Sequence, residues 1–369
     1  MKFSCLQENL SKGLQIVTRA IPMKSSLPIL ANVLISTENG RIKLAATNLE
    51  TAITTYIGAS IKEEGTVTVP AKLLKEFITN LPPSTIEVHL ENDTLHIISQ
   101  KTKSKFNGNN SNDYPELPGF SDKNKYIVID PKTFNDAVTM VAFASGSDSS
   151  RPIFTGVYMN LTGNKLTMTS TDGFRLSEKS IAIENKSKDF STIIPAKTLI
   201  EVAKIFSNSV EPLKFGMNDE ENLALFQAED TFVATRTIDG SYLDYKRIIP
   251  AGHTLKAFFS SADFLEAVRL TNIFAKEGNS TLKIRFDPDK SVIRVASLSE
   301  ETGEHESQLS GELEGELLDI AFNSKYLLEF LGNIKTDKIC FTTNGNVSAC
   351  VLKSEDYENF LHIIMPLQI

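Results

Sequence analysis

The stretches VPAKLLKEF (Val69–Phe77), IPAKTLIEV (Ile194–Val202) and FNSKYLLEF (Phe322–Phe330) share one pattern. Each runs apolar residue, Pro or Asn, Ala or Ser, Lys, any residue, Leu, any residue, Glu, then Phe or Val. The first two begin 125 residues apart and the second and third 128 apart. A nearly fixed period of that length marks one domain present three times. The 369 residues allow 123 per copy, enough for each to close a core of its own.

Working outward from these stretches, each copy opens with a strand and an amphipathic helix. Lys2–Cys5 leads into a helix over Glu8–Arg19, with Leu10, Leu14 and Val17 on one face and Glu8, Lys12, Gln15 and Arg19 on the other. Tyr126–Ile129 leads into a helix from Pro131, with Phe134, Val138 and Val141 as its stripe. Ala257–Ser260 leads into Asp263–Ala275, which makes Leu10, Phe134 and Phe264 one position seen three times. Alternating strands such as Arg41–Thr47, Lys165–Ser170 and Val292–Ala296 fill the middle of the copies. The repeated stretch then starts a second helix, with Lys72, Lys197 and Lys325 in its first turn. A cation there opposes the helix dipole, so its recurrence points to a partner rather than to folding. The copies close at Tyr114–Pro118, Tyr245–Pro250 and Ile363–Leu367, with linkers near Gly119–Lys125 and Ala251–Lys256. The domains are expected at 1–120, 126–250 and 255–369, each an α+β unit with two helices side by side on one face of antiparallel sheets.

Composition is that of a soluble globular protein, 41% apolar and 23% charged. MKFSCLQENL lacks the apolar centre of a signal peptide, and the longest apolar candidate, Leu27–Ile35, holds Pro28 and Asn32. Cys5, Cys340 and Cys350 form no CxxC and read as small hydrophobes in a reducing cytosol. Net charge is −8, distributed as +2 over residues 1–125, −3 over 126–253 and −7 over 254–369. The basic first copy and acidic last copy are therefore expected to attract each other.

No enzyme signature is present. Phosphate-loop, dinucleotide and nucleophile-elbow motifs are missing. His89, His96, His253, His305 and His362 show no metal-ligand spacing and read as solvated or singly bonded, so no metal, cofactor or catalytic residue is expected. Glu300, Glu301, Glu304 and Glu306 lack the calcium-loop pattern and read as a solvated or partner-facing acidic strand. In TSTDGFRLSEKS (Thr169–Ser180), Asp172-Gly173 signals a hairpin turn. The related ATNLETAI (Ala46–Ile53) and ASLSEETG (Ala296–Gly303) lack its Gly-Phe-Arg-Leu, and a feature kept in one copy is a candidate for function.

The MKF start, Leu27-Pro28-Ile29-Leu30, Thr171-Asp172-Gly173-x-Arg175-Leu176, Asp244-Tyr245-Lys246-Arg247 and Met365-Pro366 together resemble the bacterial DNA sliding clamp family, the beta subunits of the replicative DNA polymerase III holoenzyme. The resemblance spans essentially the whole chain. It implies three clamp domains per chain and a head-to-tail homodimer ring around duplex DNA, with antiparallel sheets outside and two helices per domain lining the hole. It implies a cytoplasmic processivity factor, not an enzyme, with no membrane partner. Its partners would be double-stranded DNA without sequence preference, the replicative polymerase alpha subunit, the clamp loader, and other polymerases and repair proteins that dock through short peptide motifs.

By the same resemblance, Lys24 and Arg151 are loop contacts to DNA. Lys12, Arg19, Lys72, Lys75, Lys132, Lys197, Lys204, Arg269, Lys276 and Lys325 sit on expected polar helix faces, where sequence-independent attraction to phosphate would act. A peptide groove would use Phe154, Thr171, Gly173, Phe174, Arg175, Leu176, Leu243, Arg247, Ile248, Asn323, Tyr326, Val347, Met365, Pro366 and Leu367. Phe174, Leu243 and Gln368 depart from the family's usual His, Pro and basic residue, which shifts the peptide preference expected of the groove. The dimer interface would join Lys103, Lys105 and Phe106, with Lys101 alongside, to Ile273, Phe274, Glu300, Glu301, Glu304 and Glu306. Two rival readings remain at this point: a cytosolic repeat scaffold that binds only proteins, and an enzyme whose site leaves no motif.

Overall fold

The computed structural model describes residues 1–22, 24, 27–119, 126–184, 188–218, 220–276, 279–299 and 303–368. Contacts divide the chain into two compact units, 1–132 with 201–237, and 133–200 with 238–369. The described residues form six α-helices: α1 (Gln7–Val17), α2 (Ala71–Asn80), α3 (Pro131–Ala142), α4 (Ala196–Phe206), α5 (Ser261–Ala275) and α6 (Ser324–Asn333). No helix among them is long and apolar enough to cross a membrane. Two helices thus fall in each repeat, and α2, α4 and α6 begin inside the three matching stretches. Lys72, Lys197 and Lys325 are the second residue of each and are exposed.

In the first unit, α1 lies against α2 and the strands Arg41–Thr47 and Thr51–Ile57. Leu10, Leu14 and Val17 are buried, as their spacing requires. The approach is close at Gly13, where a Cβ would meet Leu44 Cδ1 at 2.5 Å and Ile57 Cγ2 at 3.1 Å. α1 ends at Val17, so Arg19, expected on its polar face, lies in a 3-10 turn over Thr18–Ala20. One antiparallel sheet of this unit has five strands in the order Ser60–Glu63, Lys2–Leu6, Thr85–Glu91, Thr94–Ser99 and Thr102–Asn107. The other has eight, in which Thr231–Arg236 of the second repeat pairs with Thr51–Ile57 of the first. Thr51–Thr235 and Thr55–Thr231 hydroxyl bonds, at 3.1 and 2.8 Å, tie that junction.

The second unit holds one sheet of twelve strands. Its core is aromatic: Phe259, Phe264, Phe286, Phe322, Phe330 and Phe341 pack together under α5 and α6, which lie against each other. Here Arg175–Ala182 of the second repeat pairs with Phe360–Ile364 of the third. Both junctions use equivalent strands, the second strand of a hairpin in one repeat and the last strand of the next. Alternation along Thr85–Glu91 and Thr94–Ser99 sends Ile86, Val88, Leu95 and Ile97 inward and leaves Glu87, His89 and His96 on the wetter face, whereas Thr51–Ile57 and Thr231–Arg236 at the junction are buried on both faces.

Cys5 and Cys350 are buried and Cys340 half-buried, and all three are free thiols. Burial pushes the Cys5 and Cys350 thiols up to about 12. They pack as hydrophobes rather than reacting as thiolates.

Candidate functional site

The turn that carries Gly-Phe-Arg-Leu is built around Asp172. Its Oδ1 accepts the N–H groups of Phe174 (2.9 Å) and Arg175 (3.0 Å), and Thr171 Oγ1 accepts that of Gly173 at 3.0 Å. Thr171 also donates to the Arg175 carbonyl, closing the loop. Gly173 has φ of 95°, a value that a side chain disfavours. The same bonds recur at Thr47–Thr51, where Asn48 Oδ1 accepts from Glu50 and Thr51 at 3.0 and 2.7 Å. Leu49 holds the left-handed position there, with φ of 73°. The backbone device is therefore shared by the first two repeats, and the side chains on it differ.

Arg175 makes the difference. It is 6% exposed, and its guanidinium is hydrogen-bonded through Nε and Nη2 while Nη1 meets its partner by charge alone. Nε donates to Asp172 Oδ2 at 3.0 Å, Nη2 to the Phe143 carbonyl at 2.9 Å, and Nη1 pairs with Glu329 on α6. The Tyr326 ring lies 4.5 Å from Cζ and the Phe143 ring 5.7 Å away. A buried fork held by two carboxylates and an aromatic face is a fixed wall, not a mobile charge. Asp172, Phe143 and Glu329 were not among the expected groove residues. Glu329 had left a signal, being the Glu of the threefold pattern.

Phe174 is 57% exposed at the tip, and its carbonyl accepts the N–H of Met365 at 2.8 Å. Leu367 donates to the Ala321 carbonyl at 2.8 Å, two residues before Asn323, the cap of α6. The C-terminal segment is thus pinned at two points while Met365 stays 38% exposed. Gly146 donates to the Phe154 carbonyl at 2.7 Å, and Phe154 carries the Arg151 guanidinium 5.6 Å from its ring. A Cβ on Gly173 would come 3.9 Å from Phe154 Cε2, so Phe154 borders the turn. Leu176 packs with Tyr245, Val351 and Ile363, and Leu243 lies against that cluster. Tyr245 donates its hydroxyl to Glu178 and accepts from Thr169 at 3.0 Å; burial, then the Glu178 bond, push its phenol up. Ile248 is 44% and Val347 63% exposed, Arg247 pairs with Asp244 at 2.7 Å, and Pro366 is half-buried. Phe174 and Met365 are exposed apolar side chains joined through the backbone on a scaffold fixed by charge, and Ile248 and Val347 are exposed as well.

The expected phosphate contacts are mostly exposed cations. Lys12, Lys24, Lys72, Lys132, Lys197, Arg269, Lys276 and Lys325 are all exposed, and Lys75 is half-buried. Arg19 and Lys204 both pair with Glu201, Arg151 pairs with Asp148 at 3.6 Å, and Lys325 with Glu329 at 3.8 Å. At the expected dimer edges, Lys103 and Lys105 are exposed on one face of Thr102–Asn107, and Lys101 is exposed beside them. Phe106 differs from expectation: it is 5% exposed and meets the Phe77 ring edge-on at 5.3 Å, so it serves its own domain's core. Ile273 is 60% exposed, Phe274 stacks on His305 at 5.5 Å, and Glu304 and Glu306 are exposed. Glu300 and Glu301 lie outside the described residues. His89 and His96, which looked unrelated in sequence, are direct cross-strand partners beside Glu91.

Family models match nearly the whole chain. They are the DNA polymerase III beta subunit N-terminal domain over residues 1–118, the central domain over 128–244 and the C-terminal domain over 246–368. The chain belongs to the DNA polymerase III beta subunit family. Its fold is that of a sliding clamp, and its function that of a polymerase processivity factor. A beta sliding clamp of Synechococcus elongatus is 26% identical over 374 residues, with both chains covered in full. The solved DNA polymerase sliding clamp of Bacillus subtilis superposes with a TM-score of 0.94 at 25% identity, covering 100% of this chain and 99% of that one. The DNA polymerase III beta subunit of Thermotoga maritima superposes at 0.93 with 26% identity and the same coverage. A scaffold that binds only proteins is not favoured by these relatives.

Proposed function

We propose that two copies of this chain close head to tail into a ring around duplex DNA, with domains at 1–120, 126–250 and 255–369. The ring holds the replicative polymerase, the clamp loader and repair proteins in the cytoplasm through short peptides that dock on the 171–176 turn. It does so without chemistry of its own. The observation that carries this reading is a matched pair of open strand edges. Two junctions between repeats are closed within the chain, Thr51–Ile57 with Thr231–Arg236 and Arg175–Ala182 with Phe360–Ile364. The third equivalent pair is Gly303–Ser310 and Thr102–Asn107. The second of these ends its sheet, and the first is paired on one side only among the described residues. A second copy supplies the missing neighbour for each, which also removes two edges open to random pairing. Lys24, Arg151 and the helix cations then contact phosphates loosely enough to slide.

The test joins native mass to retention on DNA. The protein should run as a dimer of twice 40.8 kDa. Once loaded, it should stay on nicked circular DNA and slip off when the circle is cut. A monomer at every concentration, or equal loss from circle and linear DNA, would sink the reading.

A further inference from the structure

His89 and His96 face each other across the hairpin of Thr85–Glu91 and Thr94–Ser99. The turn is two residues, Asn92 and Asp93, both with positive φ (48° and 61°), the tight primed geometry that fixes register. The two imidazoles stack with centroids 4.5 Å apart and planes 10° apart. Glu91, on the same face two residues on, places a carboxylate oxygen 3.8 Å from His96 Nε2. One donor atom from each of the three side chains lies within 4.8 Å of the others.

We infer that His89, Glu91 and His96 form a binding site for a borderline divalent transition metal such as zinc, on the outer face of the first domain's sheet. The donor set decides the class. Two imidazoles suit zinc, nickel, cobalt or copper, whereas calcium and magnesium take oxygen ligands. Tetrahedral donors about 2.1 Å from zinc sit about 3.4 Å from one another, so the trio closes by about an ångström or slightly more to bind. The scaffold is two paired strands, so both histidine backbones are positioned before the ion arrives, and the two rings turn out of their stack to aim their lone pairs at it. Glu91, with 69% of its side chain exposed, is free to follow the rings as they turn. Water completes the coordination, as in other three-ligand zinc sites.

The surroundings set the strength. Lys2 is paired with His89 and Lys105 with His96, so a lysine stands at each end of the histidine row. Glu87, two residues before His89, and Glu63, opposite Lys2, offset them. With Glu91 the named charges sum to −1 before binding, which favours a cation. Lys105 lies on the open-edged strand, so a bound ion stiffens the two strands beside that edge.

Full-length protein without a histidine tag is titrated with zinc chloride by calorimetry, and with cobalt chloride by visible absorption. The parent should take up one zinc per chain, show tetrahedral cobalt bands and melt at a higher temperature with zinc present. Losing an outer-shell partner alone costs about tenfold or more in affinity, so losing a direct ligand in His89→Gln or His96→Gln should cost at least that. Glu91→Gln, at an exposed position, should weaken zinc without disturbing the fold, as circular dichroism checks. Absence of saturable uptake by the parent overturns the site. So does uptake that survives unchanged in the histidine variants, which would place the ion elsewhere, on a cysteine for example.

Discussion

Among single residues, His362 is a buried histidine held on several sides. It is fully buried, its Nδ1 bonded to Ser177 Oγ at 2.6 Å, between the rings of Phe143 and Phe330. Its Nε2 has no hydrogen-bond partner among the described residues. Burial, then the charge of Arg175, hold its pKa well below 6.5. The unfolded chain takes up this proton near the ordinary value and the folded chain does not. Stability from this group is therefore full above that value and falls as pH drops below it, by up to about 1.4 kcal/mol per pH unit. Urea unfolding from pH 7 to 5 should show that slope in the parent and a shallower one in His362→Gln; matching slopes would remove His362 as the cause. Sequence made the Asp172-Gly173 turn legible because turn chemistry is local. The partners of Arg175 were not legible, since Phe143 and Glu329 come from other elements. The histidine pair was hidden for the same reason: seven residues of separation mean nothing until a two-residue turn folds them together.

At the level of elements, the C-terminal segment is the simplest to test. Met365 and Leu367 are held through backbone bonds to Phe174 and Ala321, outside the core that Phe330 and Phe341 anchor. Deleting residues 365–369 should leave the melting temperature near the parent's. It should also weaken a polymerase-derived peptide by about 2 kcal/mol or more, roughly thirtyfold in Kd. Full-affinity binding by the shortened chain would separate this segment from the docking surface. Helices were the most legible elements. Their apolar stripes gave Leu10, Phe134 and Phe264, buried at 2%, 0% and 2%. Strand pairing was less legible, because alternation shows which face is wet but not which strand lies alongside. Phe106, expected at the dimer edge, lies on the strand face opposite Lys105 and packs edge-on against Phe77.

The whole molecule carries +2 in its first 125 residues and −7 beyond residue 253. If those ends meet between two copies, charge steers the encounter while apolar contact holds it, since exposed ion pairs contribute only about 0–1 kcal/mol each. Ile273→Ala with Phe274→Ala should then give folded monomers at low micromolar concentration. Lys103→Glu with Lys105→Glu should slow assembly and make it less weakened by salt. Sedimentation across a salt series reads both. A dimer that survives every dilution of the Ile273/Phe274 variant, or parent-like assembly of the charge-reversed one, would misplace the interface. The two junctions inside the chain bear on how the molecule is made. Ser177 meets His362 across 185 residues of sequence, and Thr51 meets Thr235 across 184. Contacts so remote must wait for synthesis. At about 5–20 residues per second, the strand Arg175–Ala182 leaves the ribosome roughly 10–40 s before Phe360–Ile364 exists to cover it. Through that interval a nascent chain shows an open edge with Glu178 and Lys179 as its charged guards, and neighbouring chains on one messenger show the same edge to each other.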